Sequence, residues 1–204
     1  IHQADPNHIT FIDLAKKESI FDFKDSADVI MHEHHSYTDS NKSQIAQDED
    51  YARYISEIYD EAQYLSLQID KPLWAVSFAY GNYYTDGLDT PRPPTSQEYT
   101  SIFYQWFIGG ATGIIPYTYK MKKDNQITWH LPDARLGSPA LWKRMKELNV
   151  QQDFLYPIIN SSLPNVTLNL RNNPYDAIKY LFREYNQKFY LITVNSLNHS
   201  YSNV

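Results

Sequence analysis

The chain has no cysteine among its 204 residues. Neither a disulfide nor a thiolate metal site can form, and thiols say nothing about its compartment. It has no long basic run and carries a formal net charge of −6, which argues against nucleic acid as the main partner. No apolar run is long enough to cross a bilayer, so no membrane span is expected. The opening IHQADPNH has neither an initiator Met nor a signal peptide, and the sequence reads as a processed or partial chain. What remains has the makeup of a folded domain, 42% hydrophobic and 21% charged. Aromatics reach 15%, with 18 Tyr; a tyrosine offers an apolar face and a hydroxyl, which suits sugar or protein contact as well as core packing.

Four Asn-X-Ser/Thr sites begin at Asn41, Asn160, Asn165 and Asn198. They point to a secreted or extracellular glycoprotein.

Four compact runs rich in β-branched and aromatic residues predict buried parallel strands: residues 8–14, 27–34, 72–80 and 112–119. Between the second and third, Ala52, Ile55, Ile58, Ala62, Leu65 and Ile69 recur three or four apart and mark the apolar face of a crossover helix. A second helix opens at Thr95 with Glu98 in capping-box position and ends at Gly109-Gly110. A third starts at Ser138-Pro139 and runs to Val150. Strand and helix alternation of this kind builds a parallel sheet. From about Tyr156 the pattern changes to short strands at 165–170, 175–184 and 188–196 with polar turns between them. A helix competes with the strand at 175–184, because Ala177, Tyr180 and Leu181 also fit a helical period.

Taken together, "DPNHITFID", "ADVIMHEHHSY", "KPLWAVSFAYG" and "GATGIIPYTY" resemble the fifth to eighth strands of TIM-barrel glycoside hydrolases of the large retaining clan, with their "DPNHP", "ADVIG-D-YP", "KPVW" and "GA-GI--Y-Y" segments. The resemblance implies an α/β fold: half of a (β/α)8 barrel over residues 1–155, followed by the start of an antiparallel β-sandwich domain over 156–204. Eight strands are needed to close such a barrel, so the half needs an N-terminal half of the same protein or another chain as partner. The family's acid/base stands at the end of the fourth strand, which the resemblance leaves outside this chain. Its nucleophile Glu stands at the end of the seventh, where this sequence has Ser77, Phe78 and Ala79. The implied catalytic set is therefore empty here, unless a loop acid such as Asp86 or Asp89 replaces the missing Glu.

The same likeness puts His32-Glu33-His34-His35 at the end of the sixth strand, on the rim where such barrels bind ligands. Alternation sends His32 and His34 one way and Glu33 and His35 the other, so four ligands cannot converge on a metal without a bend. Three readings stay open: a metal site, polar contacts to a sugar through Glu33, His35 and Tyr37, and exposed loop residues. Tyr80, Tyr117 and Tyr119, at the ends of the last two strands, complete the expected substrate-binding set. Trp74, Trp106, Trp129 and Trp142 are expected to pack in the core.

The sequence thus leads to two expectations. One is a glycoside-hydrolase-like carbohydrate-binding or structural extracellular protein, without retaining glycosidase activity in this chain and needing no metal or cofactor. The other is a glycoside hydrolase acting on an oligosaccharide or polysaccharide, with catalytic residues partly supplied by the missing half.

Overall fold

The computed structural model describes residues 5, 7–34, 44–80, 93–123, 126–135, 137–166, 168 and 177–196. The four apolar runs become short strands, β1 (Phe11–Leu14), β2 (Val29–Glu33), β3 (Leu73–Phe78) and β4 (Gly113–Tyr117). All are parallel and stand in chain order, β1-β2-β3-β4. β1 is shorter than its run. Before it, the Asp28 carboxylate accepts from the Thr10 amide at 2.7 Å and from the Thr10 hydroxyl at 2.8 Å, tying the entry of β1 to that of β2.

A 3-10 turn (Lys17–Ser19) and the single-turn α1 (Ile20–Phe23) join β1 to β2. The long helices α2 (Gln44–Gln68) and α3 (Ser96–Ile108) form the next two crossovers. The expected stripe on α2 is the buried one: Ile55, Ile58, Ala62, Leu65 and Ile69 all lie in the core. α3 begins with the capping box, Glu98 N donating to Thr95 Oγ1 at 3.2 Å and Thr95 N to Glu98 Oε2 at 2.7 Å. It ends where Gly110 takes φ +113°, against Ser66 of α2; a Cβ there would stand 2.6 Å from the Ser66 side chain.

After β4 comes an antiparallel hairpin that the charged run around it conceals, β5 (Lys120–Lys123) with β6 (Gln126–His130). Its anchor is Trp129, fully buried and donating Nε1 to the Thr118 carbonyl at 3.0 Å. α4 (Pro139–Ile159) starts at the Ser138 cap but continues beyond Val150 and through Pro157. Ile158 is buried there, and Leu155 and Ile159 pack beside the cluster of Phe103, Phe107 and Leu148. That burial outweighs the amide hydrogen bond lost to the proline.

Over the described part of 175–184 the competition resolves to strand. β7 (Ile178–Tyr185) and β8 (Lys188–Asn195) form a hairpin closed by Asn186 and Gln187 at φ 49° and 59°, the left-handed pair a two-residue turn requires. Of the run expected as a strand at 165–170, Asn165 and Val166 form a bend and Leu168 belongs to no strand, and residues 167, 169 and 170 lie outside the described residues. The hairpin docks on the helices: Leu181 and Val194 pack on Ile108 with Tyr59 and Tyr104 beside them. Lys179 pairs with Asp60 at 3.0 Å over the Tyr59 ring.

The register divides the sheet into two faces. Ile12, Ile30 and Leu73 stand in one row, Leu14, His32, Ala75 and Ile114 in the next along, and both point to the helices, packing with Leu65, Ile69 and Ile58. On the opposite face run Asp13, Met31, Trp74 and Gly113, then Glu33, Val76 and Ile115. Here Phe11 and Asp13 are exposed and Trp74 and Ile115 half-buried. The Trp74 indole lies across Gly113, where a Cβ would meet it at 2.8 Å. Gly113→Ala is therefore expected to displace Trp74 and cost about 1–3 kcal/mol by overpacking. Urea unfolding together with the Trp74 emission spectrum checks it; an unchanged midpoint and spectrum would mean that the indole lies elsewhere.

Candidate functional site

The residues that carry chemistry gather at the C-terminal ends of β1 and β2, on both faces of the sheet. On the helix side, His32 is almost fully buried. Its Nδ1 lies 2.7 Å from the Leu14 carbonyl, so that nitrogen is the donor and Nε2 faces the other way. Nε2 meets Glu61 Oε1 of α2 at 2.5 Å, a contact that holds one shared proton. The other carboxylate oxygen, Oε2, lies 3.0 Å from His34 Nδ1. His34 stacks on Tyr54 with ring centroids 4.8 Å apart, and Trp106 presents its ring to both histidines at 6.3 and 6.5 Å. Burial acts to raise the Glu61 pKa, but the hydrogen bonds and charges of His32 and His34 outweigh it and hold the carboxyl well below the usual carboxylate range. The Tyr54 hydroxyl is pushed up, by burial first and then by Tyr99 and the Glu61 charge.

On the opposite face Asp13 and Glu33 end adjacent strands and share a hydrogen bond. Although Asp13 keeps more than a third of its surface exposed, desolvation of its carboxyl, followed by the hydrogen bond and charge of Glu33, raises it to about 6. Asp13 thus keeps its proton up to about pH 6.

The rim residues expected from the sequence are distributed unevenly. Glu33 stands beside Asp13 as described. Tyr80 is half-buried and packs against both clusters around α3, so it forms a wall more than a free platform. Its ring meets Tyr117 edge-on at 5.8 Å, and Tyr117 is 46% exposed. Tyr119, 49% exposed, turns instead to His130 at 5.3 Å and Trp142 at 5.5 Å. His35, Tyr37, Asn41, Asp86, Asp89 and Asn198 lie outside the described residues. Asn160 caps α4 and Asn165 follows it, both exposed. Ser77, in the window where the glycoside hydrolases that the sequence resembles carry their nucleophile, is fully buried, and its hydroxyl has no hydrogen-bond partner among the described residues.

Two residues of the site were not singled out from the sequence, and each left a mark there. Glu61 sits three residues after Ile58 and four before Leu65, a charge inside the apolar stripe of α2. Asp13 is an acid inside the run "TFIDL". Of the residues present, His32, His34 and Glu61 could hold a metal ion, their ligand atoms lying within 4.8 Å of one another. A cavity of about 630 Å³ lies at the other end of the sheet, near Gly109 and Gly110 ahead of β4 and away from these groups. No helix among the described residues is long and apolar enough to cross a membrane. No family model matches the chain, and neither does any curated protein.

Two outcomes follow. In metal-free protein at pH 7, Glu61→Gln leaves His32 with half a partner, so unfolding by urea should show a loss of about 3 kcal/mol, as when one partner of a largely buried pair is removed; a loss below about 1 kcal/mol would contradict the ionic contact. Asp13 has a folded pKa raised from the ordinary 3.8 to about 6. It binds its proton more tightly when folded, so its stabilising contribution is complete below about 4 and is lost as pH rises through about 6. Asp13→Asn should remove that fall, which unfolding midpoints at pH 4.5 and pH 7.5 will reveal; an identical pH trend in both proteins would contradict it.

Proposed function

We propose that this chain is the second half of a glycoside-hydrolase-like (β/α)8 barrel that binds an oligosaccharide at the C-terminal ends of its strands, without retaining glycosidase turnover of its own. The observation that carries the reading is the strand order. Four parallel strands lie in sequence order with α2 and α3 on one side, as in a barrel wall, whereas doubly wound sheets reverse their order and carry helices on both faces. In this reading the face bearing Phe11, Asp13, Met31 and Trp74 lines the barrel, and the N-terminal half of the same protein, or another chain, covers it. The β7–β8 hairpin then begins a β-sandwich-like domain. The rim offers Glu33, Asp13 and the exposed ring of Tyr117, with His35 and Tyr37 following β2 in sequence. Carboxylates for sugar hydroxyls and a ring for the sugar's C–H face are what such a site uses. The buried Ser77 leaves the family's nucleophile position without an acid.

A second reading is favoured by Asp13. A carboxyl held protonated near pH 6 beside Glu33 is suited to general acid catalysis, so the pair could serve a hydrolase whose remaining carboxylates come from the other half.

The location belongs to the same proposal. In a secreted eukaryotic protein the exposed Asn160 and Asn165 are the first positions expected to carry N-linked sugar, and intact-mass analysis of native material checks them.

Calorimetric titration with an oligosaccharide panel tests the binding. Tyr117→Ala is expected to weaken it about tenfold, the value of one lost stacking ring. Incubation of the barrel, complete with its other half, with a 2-fluoro glycoside should leave no covalent label. Equal binding by Tyr117→Ala argues against the rim site, and a label or turnover abolished by Asp13→Asn selects the hydrolase instead.

A further inference from the structure

We propose that His32, His34 and Glu61 form a binding site for a divalent transition-metal ion of the zinc class, on the helix side of the sheet and separate from the sugar rim. Two imidazoles and a carboxylate are the donor set zinc accepts, and with three protein ligands the ion keeps one open position. The three come from two rigid elements, the end of β2 and the middle of α2, so the site is built by tertiary packing. His32 is already oriented as a ligand: its Nδ1–H is committed to the Leu14 carbonyl at 2.7 Å, which aims Nε2, with the proton it shares, at Glu61. Such a second hydrogen bond is the usual companion of a metal-bound histidine. The His32 side chain is 1% exposed and those of His34 and Glu61 are 12% and 14%, so the group is sheltered but open at one side.

The spacing sets what must move. Tetrahedral zinc with ligands at about 2.0 Å separates its donor atoms by about 3.3 Å, against 2.5 Å and 3.0 Å for the two contacts here. A small rotation of the Glu61 carboxylate opens the first, and because the three ligand atoms lie only within 4.8 Å of one another, the imidazoles also close on the ion as it enters. The ion then takes the place of the proton shared by His32 and Glu61, and that proton goes to solvent. The Trp106 indole nitrogen, buried and without a hydrogen-bond partner among the described residues, is a donor available in the same wall for a water in the fourth position.

The test uses the untagged full chain, stripped with chelator and titrated with Zn2+ by calorimetry, with Mg2+ as comparator. One Zn2+ per chain is expected, and no heat from Mg2+, which prefers octahedral oxygen sites. Because even an outer-shell partner is worth about 10–100-fold in affinity, His34→Ala and Glu61→Gln should each weaken Zn2+ by about 100-fold. His8→Ala, in the exposed pair with Asp5, should not. X-ray absorption of the zinc-loaded wild type should show two imidazole nitrogens in the first shell, and this readout stands even where a variant fails to fold. No zinc binding, binding undiminished in His34→Ala, or a first shell without imidazole each overturns the site.

Discussion

Pleat alternation at the end of β2 is the constraint on which the rest of the molecule's chemistry depends. Successive residues of a strand point to opposite faces, so the run His32, Glu33, His34 cannot act as one cluster. His32 and His34 go under the sheet to Glu61, and Glu33 goes over it to Asp13. A one-residue slip of β2 against β1 or β3 would exchange the two sets and put Glu33 among the core side chains. The apolar neighbours prevent that slip, since Ile30, in register with Ile12 and Leu73, is fully buried against Leu65 and Ile69.

The two faces place opposite demands on their charges. Beneath the sheet, α2 and α3 exclude water, and a carboxylate survives there because two histidines face it. Above it, Asp13 and Glu33 are close enough to compete for one proton and exposed enough to exchange it. The first arrangement locks the end of β2 to α2; the second leaves a pair of groups ready for a polar ligand. Between them, Trp74 over Gly113 gives the upper face an apolar floor.

Much of this was legible in the sequence, because the signals were local. Apolar runs marked the four strands, the stripe from Ile55 to Ile69 marked the buried side of α2, and Thr95 with Glu98 and Ser138 with Pro139 marked two helix starts. The alternation of His32 and His34 against Glu33 was also readable. What escaped depended on packing at a distance. Lys120 to Lys123 looks too charged for a strand, yet the hairpin is held by the burial of Trp129. Pro157 looks like a helix stop, yet Ile158 is drawn into the core. Glu61 is one of many acids on α2, and only the tertiary fold shows that it meets two histidines some thirty positions away. Tyr119 belongs to the expected rim by position but turns to His130 and Trp142, because β5 and β6 stand beside it.

The division of labour between the two faces is the centre of this account, and amide chemical-shift mapping tests it most directly. Isotope-labelled protein titrated with a bound oligosaccharide should show its largest changes at Asp13, Glu33 and Tyr117, with Glu61 and its neighbours on α2 nearly still. Perturbations centred on Glu61 and Trp106, or spread evenly over both faces, would contradict it.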